Sequence, residues 1–379
     1  MTTDTRQPFS RMHNFGLLAA VVAGAVCAWE IWTHGDAFLE SYLLAFFFWW
    51  TVSLGCLGVL IIHRLTGGRW GRAARPILES GAMTMPLMTL AFLPIALELD
   101  RIYPWASSYA SAEHASSQVE ELYLNPPFFQ MRAGSYFAVW LTLSFVMCRT
   151  ARSGSRRSRA KTRLAAGGLV LMLLTCTFAA IDWGMSLDPH WYSTMYGALV
   201  AVGAALSGLA LTTAVAAALQ AGSNQSVHPM PPQTLADLGT LLLAFLMLWA
   251  YCAFSQFLII WSGNLPEENV WYIARLTGGW QWIGLAAVVL GFAVPFCLLL
   301  SRDLKESPRW LAGVATLVFI VQWVYIGWIL LPSFRPGDLF VRGSDIAAPL
   351  ALGGLWIVLF AYLLTRRMPA SRALSTSLP

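Results

Sequence analysis

Long apolar runs separated by short polar segments fill most of this 379-residue chain. A membrane-spanning helix needs about 17 to 25 mainly apolar residues to cross about 30 Å of hydrocarbon. The runs are continuously apolar, which favours helices over the alternating strands of a membrane barrel. The ten helices that they predict cover 14–32, 42–63, 80–98, 132–149, 164–186, 194–219, 235–261, 280–301, 310–331 and 347–365.

This pattern predicts an all-α integral membrane protein with a single polytopic domain, residues 1–379. The composition, 57% hydrophobic and 11% charged, lies far from that of a soluble domain and agrees with the prediction. Short connections favour up-and-down packing of neighbouring helices. A basic, Ser-rich linker at 151–163 separates helices 1–4, within 14–150, from helices 5–10, within 164–365, and 366–379 is a predicted cytoplasmic tail.

The distribution of Lys and Arg predicts the orientation. All but five of the 24 lie at the N-terminus, after an even-numbered helix or in the C-terminal tail. The positive-inside rule then puts both termini in the cytoplasm. This basic excess fits topology and contact with the lipid bilayer, and no nucleic-acid partner is expected. The alternative that helix 1 is a secretory signal, cleaved near Ala25, stays open.

Candidate metal ligands are poorly placed for a redox centre. The six cysteines lie inside predicted helices without a CxxC pair, and only His63 of the six histidines lies within an apolar run. A b-type haem held by two facing histidines therefore has no ligands at mid-membrane. The sequence predicts that this chain binds no metal, haem or iron–sulfur cluster directly.

The segment Asp182–Gly197, DWGMSLDPHWYSTMYG, is unusually polar and aromatic for the end of a membrane helix. Ser186 follows Asp182 by one helical turn, so both side chains are expected to face one groove. Asp188 and His190 flank a proline that breaks the chain. Boundary carboxylates of this kind usually face a cavity or a partner.

A second polar turn, WSGNLPEENVWYIAR at 261–275, lies on the same predicted side. Pairing of Arg132 or Arg275 with Asp182 or Glu267 would give a polar pocket roofed by tryptophans, suited to a quinone headgroup or a proton exit. The polar candidates are Asp182, Ser186, Asp188, His190, Glu98, Glu267, Glu268, Arg275, Arg132, Gln322 and Tyr325, and the aromatic candidates are Trp183, Trp191, Tyr192 and Trp261.

Simpler interpretations exist for several of these residues. Glu267 and Glu268 fit a solvated turn, whereas Glu98 is expected to lie as deep as Asp182. Trp191 and Tyr192 fit interfacial anchors of the aromatic belt. Gln322, one turn from Tyr325, fits an interhelical hydrogen bond better than a ligand contact.

The sequence resembles the alternative complex III family, specifically the ActF-type subunit of bacterial quinol:cytochrome c oxidoreductase. The resemblance rests on DWGMSLDPHWYSTMYG at 182–197, FSQFLIIWSGNLPEENVWYIAR at 254–275 and FFQMRAGSYFAVW at 128–140. It implies a ten-helix subunit similar to the NrfD and polysulfide reductase membrane subunits, with two four-helix bundles and two additional helices. The motif positions that it carries over are Asp182, His190, Glu267, Glu268 and Arg275.

The resemblance also implies partners and a division of labour. Family members assemble with a sister quinol-binding membrane subunit, a periplasmic iron–sulfur protein, multihaem cytochromes and, in some cases, a terminal oxidase. Haem and iron–sulfur clusters then belong to those partners. The expected role is to support quinol oxidation through proton conduction or quinone binding, without catalysis by this chain alone.

Two other functions stay open at this level. A secondary transporter is one, since ten helices and a faint repeat between LELDRIYPW at 97–105 and IDWGMSLDPHW at 181–191 would suit it. A purely structural assembly subunit is the other.

Overall fold

The structure is a computed structural model that describes residues 7–110, 122–152, 159–222, 230–337 and 339–368. These residues form helices and no β-strand. Ten segments are long and apolar enough to cross a membrane. The chain is therefore an all-α, multi-pass membrane protein, as its apolar runs predict.

Each predicted helix corresponds to one span, and the largest difference is at span 3. That span begins at Arg69 rather than at residue 80, because its first turns are amphipathic and carry several arginines that an apolar scan rejects. The ten spans, numbered 1 to 10 in chain order, are Phe9–Thr33, Ala37–Thr66, Arg69–Leu97, Pro126–Arg149, Arg159–Leu187, Met195–Ala221, Pro232–Gly263, Trp280–Leu300, Pro308–Phe334 and Gly343–Arg367.

Some spans are interrupted and some helices exceed one span. Spans 1 and 2 belong to one helical segment, and span 3 consists of three short helices. Span 8 contains a π turn, Val289–Ala293, and span 5 ends in a 3₁₀ turn, Met185–Leu187. The helices are Gln7–Thr66, Arg69–Ala82, Met85–Ala91, Leu93–Leu97, Leu99–Ile102, Pro104–Ala110, Pro126–Arg152, Arg159–Trp183, Tyr196–Ala221, Pro232–Gly263, Pro266–Leu276, Trp280–Val288, Val294–Leu300, Arg302–Glu306, Pro308–Phe334 and Gly343–Arg367.

The first helical segment folds back on itself between spans 1 and 2. Span 10 shows this, since Gly354 packs against the backbone of Gly16 while the adjacent Gly353 packs against Trp49. A straight helix would separate residues 16 and 49 by about 50 Å at 1.5 Å per residue. Span 10 thus runs antiparallel to span 1 and parallel to span 2.

Spans 2 to 5 form one four-helix bundle around Trp183. The indole of Trp183, in span 5, lies 5.3 Å from the ring of Phe46 in span 2, 4.8 Å from Phe92 in span 3 and 5.6 Å from Phe137 in span 4, measured between ring centroids. Span 5 follows the basic linker in the sequence, yet it packs with the helices that precede that linker.

Spans 6 to 9 form the second bundle, and the two bundles meet where spans 2 and 6 cross. A Cβ atom on Gly55 would lie 1.7 Å from the Ala204 carbonyl oxygen, and one on Gly208 would lie 2.5 Å from the Cys56 nitrogen. Glycine at both positions lets the two backbones touch. Spans 1 and 10 complete the molecule beside span 2.

Successive spans alternate in direction, so the molecule has two distinct ends. We call the end that carries Arg64, Arg149 and Arg367 the basic end, and the opposite end, which carries Asp188 and Asp345, the acidic end. Residues 111–121, 153–158 and 369–379 lie outside the described residues, and so do the centre of the predicted basic linker and most of the predicted tail.

Candidate functional site at the acidic end

Asp182 forms a closed, buried ion pair with Arg132 at the acidic end of the first bundle. The side chain of Asp182 is fully buried. Arg132 donates from Nε to Oδ2 at 2.9 Å and from Nη2 to Oδ1 at 3.0 Å, and Tyr136 Oη donates to Oδ2 at 2.9 Å. Both carboxylate oxygens are therefore engaged, and the bidentate geometry is the strongest that this pair of side chains can adopt.

Aromatic rings enclose the other side of the Arg132 guanidinium. Its central carbon lies 3.8 Å from the ring centroid of Tyr123 and 4.4 Å from that of Phe128, and Nη1 donates to the Tyr123 carbonyl at 2.8 Å. Burial, together with the negative charge of Asp182, raises the pKa of the Tyr123 hydroxyl. This hydroxyl is consequently protonated at neutral pH.

Trp183 and Ser186, next to Asp182 in the sequence, are both buried. Trp183 is fully buried in the core of the first bundle rather than at an interface. Ser186 Oγ donates to the Asp182 carbonyl at 2.5 Å, so it satisfies the backbone at the end of the helix. The serine hydroxyl is therefore engaged by its own helix, and a groove that it shares with Asp182 stays a prediction.

The expected depth of Glu98 is also wrong. Its side chain is 43% exposed and pairs with Arg101 at 3.1 Å. Helix breaks around Glu98 place it at the surface of the acidic end. His190 and Glu267 are exposed as well, and Glu268 is half-buried.

The second polar turn is largely a helix, Pro266–Leu276, and it buries Arg275. This residue pairs with Asp188 rather than with Glu267, with Nη2 lying 3.5 Å from Oδ2. Ser333 Oγ accepts from Arg275 Nη2 at 2.8 Å and donates to Asp188 Oδ2 at 2.7 Å. Arg275 also donates to the carbonyls of Trp271 and Ile329, at 2.9 and 2.6 Å.

The Arg275–Asp188 pair differs from the Arg132–Asp182 pair because its carboxylate is partly exposed to solvent. Arg275 is 1% exposed, whereas the side chain of Asp188 is 31% exposed. Burial lowers the pKa of Arg275 to about 10, partly offset by the charge of Asp188. Arg275 therefore remains protonated at neutral pH and fixes a positive charge beneath a carboxylate that water can reach.

A pair of stacked tryptophans joins the two polar turns. The rings of Trp191 and Trp271 lie 4.4 Å apart and within 10° of parallel, and the Arg275 guanidinium lies 3.5 Å from the ring centroid of Trp271. Trp191 Nε1 also donates to the Glu268 carbonyl at 3.2 Å. We call this arrangement of Trp191, Trp271, Arg275, Asp188 and Ser333 the tryptophan seam.

The other two aromatic candidates face outward. Tyr192 is 71% exposed and Trp261 is 67% exposed. Both lie at the acidic end of their spans, where an aromatic belt would meet lipid headgroups.

Gln322 and Tyr325 lie near the middle of span 9, beside a small cavity between the bundles. The cavity has a volume of about 10 Å³ and is also lined by Thr51 and Trp249. Within the described part of the chain, neither Gln322 Nε2 nor Trp249 Nε1 makes a hydrogen bond, so the nitrogen end of the Gln322 amide forms no interhelical bond there. The volume and the two free donors suit about one water molecule.

Two buried charge networks carry residues that the sequence reasoning did not select. At the acidic end, Arg335 bonds Asp345 at 2.7 and 3.1 Å and Glu40 at 2.9 Å, and Arg342 also bonds Glu40 at 2.7 Å. Asp345 lies three residues after Arg342, the N3 position of a helix cap, which is the one sequence signal that could have indicated it.

The second network lies at the basic end. Glu79, in span 3, is 4% exposed and pairs with Arg75 at 2.7 Å and Arg367 at 2.6 Å. Its pairing with Arg367 ties span 3 to the end of span 10.

Fold and site together define a multi-pass, all-α membrane protein with buried arginine–carboxylate pairs at both ends. Among the residues that the structure describes, no three His, Cys, Asp or Glu side chains form a group able to hold a metal ion. No protein-family model matches the chain, and no curated protein matches it.

Proposed function

We propose that this chain is a non-haem membrane subunit of a respiratory quinol:cytochrome c oxidoreductase of the alternative complex III type. In that proposal it lies in a bacterial inner membrane with its basic end in the cytoplasm. Its partners are a sister quinol-binding membrane subunit, an iron–sulfur protein, multihaem cytochromes and a terminal oxidase. Haem and clusters belong to those partners, and quinol or quinone is the small-molecule ligand.

The observation that carries the proposal is the meeting of the two most characteristic segments in the tryptophan seam. The residues 182–197 and 254–275 are distant in the sequence, yet Trp191 stacks on Trp271 and Asp188 pairs with Arg275. Contacts of this kind are expected where two distant segments form one site. The resemblance and the geometry therefore point to the same part of the molecule.

The two buried arginine pairs suit different roles. Arg132 and Tyr136 engage both oxygens of Asp182, which suits a lock that holds spans 4 and 5 together. Asp188 is partly exposed and sits against a permanent positive charge. It is the better candidate for accepting a proton at the acidic end or for bonding a quinol hydroxyl.

A proton route from mid-membrane to Asp188 is the most specific form of this role. Gln322 and Tyr325 adjoin the water-sized cavity, and Tyr325 stacks on Trp328 with ring centroids 5.7 Å apart. Trp328 Nε1 in turn donates to the Arg275 carbonyl at 3.2 Å. Neither contact transfers a proton, so in this proposal water from the cavity carries the proton between the Tyr325 hydroxyl and the Asp188 carboxylate.

The experiment begins with purification of the tagged native chain in mild detergent. The proposal predicts that subunits with haem and iron–sulfur spectra copurify with it and that the assembly oxidises quinol. A chain that runs alone, without a cytochrome, would overturn the assignment to this complex.

Site-directed variants then test the seam within the assembled complex. Asp188→Asn should slow quinol oxidation about 10²- to 10⁴-fold with full assembly, the range expected for loss of a proton-transfer group. Glu267→Gln, at an exposed carboxylate of the adjacent helix, is the matched control and should leave the rate unchanged. Equal rates for the Asp188→Asn and unsubstituted complexes would leave the chain with an assembly role only.

A further inference from the structure

A groove between spans 3 and 4 lies on the surface of the first bundle, far from the tryptophan seam. It has a volume of about 340 Å³, within the range of small-molecule sites. Its walls are mostly apolar and consist of Met83, Pro86, Leu141, Thr142, Ser144 and Phe145. The groove begins where span 3 is interrupted between Ala82 and Met85, so the break in the helix opens it.

Ser144 carries an unsatisfied hydroxyl beneath these apolar walls. The residue is 2% exposed, and its Oγ is buried with no hydrogen-bond partner among the residues that the structure describes. A ligand reaches this oxygen by displacing a side chain of the wall. Serines inside helices usually bond the carbonyl four residues earlier, as Ser135 of the same helix does with Met131 at 2.9 Å. A buried hydroxyl without a partner is costly, so a ligand acceptor in the groove would stabilise it.

Positive charge surrounds the basic end of the groove. The guanidinium of Arg149 lies 4.1 Å from the ring centroid of Phe145, a groove residue. Arg64 donates to the carbonyl of Met147 on the same helix, and Arg75 pairs with Glu79. Arg64, Arg75 and Arg149 thus outnumber the one carboxylate, Glu79, at this end of the groove. Arg367 adds a fourth arginine.

This combination matches one ligand class, an anionic phospholipid. An apolar slot suits an acyl chain, a hydroxyl donor suits its ester carbonyl, and arginines at the membrane edge suit a phosphate. Arg149 follows Ser144 by five residues, which is about 7.5 Å along the helix axis and about 140° around it, so Arg149 lies on the far side of Phe145 from Ser144. The glycerol unit of a phospholipid sets its ester carbonyls below its phosphate in the same order.

We propose that the groove binds an anionic phospholipid from the leaflet at the basic end. One acyl chain fills the slot beside Pro86, an ester carbonyl accepts from Ser144 Oγ, and the phosphate contacts Arg149 with Arg64 and Arg75 behind it. The bound lipid would fill the break in span 3 and join it to span 4. This site is independent of any role in quinol oxidation.

The test uses the delipidated full chain in detergent and native mass spectrometry. Phosphatidylglycerol, phosphatidylcholine with the same acyl chains, and a short-chain quinone are added separately. The proposal predicts that phosphatidylglycerol is retained about tenfold more than phosphatidylcholine, which corresponds to one charge-assisted contact. Arg149→Gln should remove most of that preference, and Ser144→Leu should reduce retention of both phospholipids.

Matched controls separate this site from general membrane electrostatics. Arg302→Gln removes an exposed arginine at the basic end, and Ser135→Leu changes an exposed serine on the same helix. Both should behave like the unsubstituted chain. Equal retention of the two phospholipids, or an Arg149→Gln effect no larger than that of Arg302→Gln, would overturn the proposal.

Two further measurements identify the ligand of the groove. Loss of quinone retention in Ser144→Leu, with phosphatidylglycerol binding intact, would identify a quinone groove instead and overturn it. If Ser144→Leu does not fold, the melting temperature of the unsubstituted chain decides. It should rise with phosphatidylglycerol and not with phosphatidylcholine, and equal shifts would refute the site.

Discussion

Asp182 and Arg132 lie fifty positions apart in the sequence and form a two-point ion pair, with nitrogen–oxygen distances of 2.9 and 3.0 Å. The pair joins the end of span 5 to the start of span 4 and is almost fully buried. Such a pair contributes little net stability, since both charges must leave water. Each partner is nevertheless essential to the other, because removing one leaves an uncompensated buried charge.

Neutralising Asp182 should therefore destabilise the fold. We expect Asp182→Asn to lower the free energy of unfolding by about 3–5 kcal/mol, measured by denaturant titration in detergent. Asp188→Asn should cost less, because Asp188 is partly exposed and Arg275 keeps its bonds to Ser333 and two carbonyls. A double variant, Arg132→Met with Asp182→Leu, should recover most of the loss. A larger loss in the double variant than in Asp182→Asn would contradict this account.

The crossing of spans 2 and 6 should tolerate no side chain at Gly55. A methyl group there would lie 1.7 Å from the Ala204 carbonyl oxygen, which is backbone and cannot rotate away. We expect Gly55→Ala to cost at least about 1–3 kcal/mol and to reduce the yield of folded protein. Gly134→Ala is the control, since nothing lies within 4 Å of its added Cβ. Equal stability of the two variants would show that the bundles are not in contact here.

The contribution of Arg275 should not depend on pH between about 6 and 9. Burial lowers its pKa from 12.5 to about 10, so folded and unfolded chains both hold this proton throughout that window. Above pH 10 the unfolded chain would bind more protons, and the penalty for burying the charge would diminish as pH rises. The measurement is the stability difference between the unsubstituted chain and Arg275→Gln at several pH values. A slope below pH 9 would mean that Arg275 titrates in the functional range.

The stacked tryptophans should couple the two polar turns energetically. Trp191→Ala, Trp271→Ala and the double variant form a double-mutant cycle. This cycle separates the interaction energy of the two rings from the general loss of apolar contact. We expect a coupling of about 0.5–1.5 kcal/mol, as for other aromatic pairs. Trp191→Ala with Trp261→Ala is the control cycle and should be additive, because Trp261 is exposed. No coupling in the first cycle would leave the turns independent.

The sequence predicts the ten spans well because a membrane helix must satisfy its own backbone and present apolar side chains to lipid. Both requirements are local, so they appear as runs. Span 3 is the exception that shows the limit, since its first turns alternate arginine with apolar residues and enter a protein-lined end rather than lipid. The sequence also predicts a turn where the helix Pro266–Leu276 lies, although Pro266 and two glutamates in its first turn favour a helix start.

The sequence predicts which residues belong to the candidate site, but it does not predict which acid pairs with which arginine. Acids and arginines at the acidic end are visible as exceptions to the charge bias, and Arg132 with Asp182 was among the suggested pairs. Which acid meets Arg275 depends on how helices rotate, and Ser333 links the pair from a span far along the chain. Ser144 could not be identified at all, because its interest lies in a hydrogen bond that it does not make.

The packing of span 10 has a consequence for how the protein is made. Span 1 has few buried residues, and its Gly16 packs against Gly354 of span 10. Span 2 also contacts span 10, through Trp49 and the buried pairing of Ser41 with Asp345, but it packs on earlier spans as well. During synthesis span 1 therefore lacks this partner until span 10 emerges. A ribosome that stops short of residue 343 would leave the Gly16 face of span 1 uncovered.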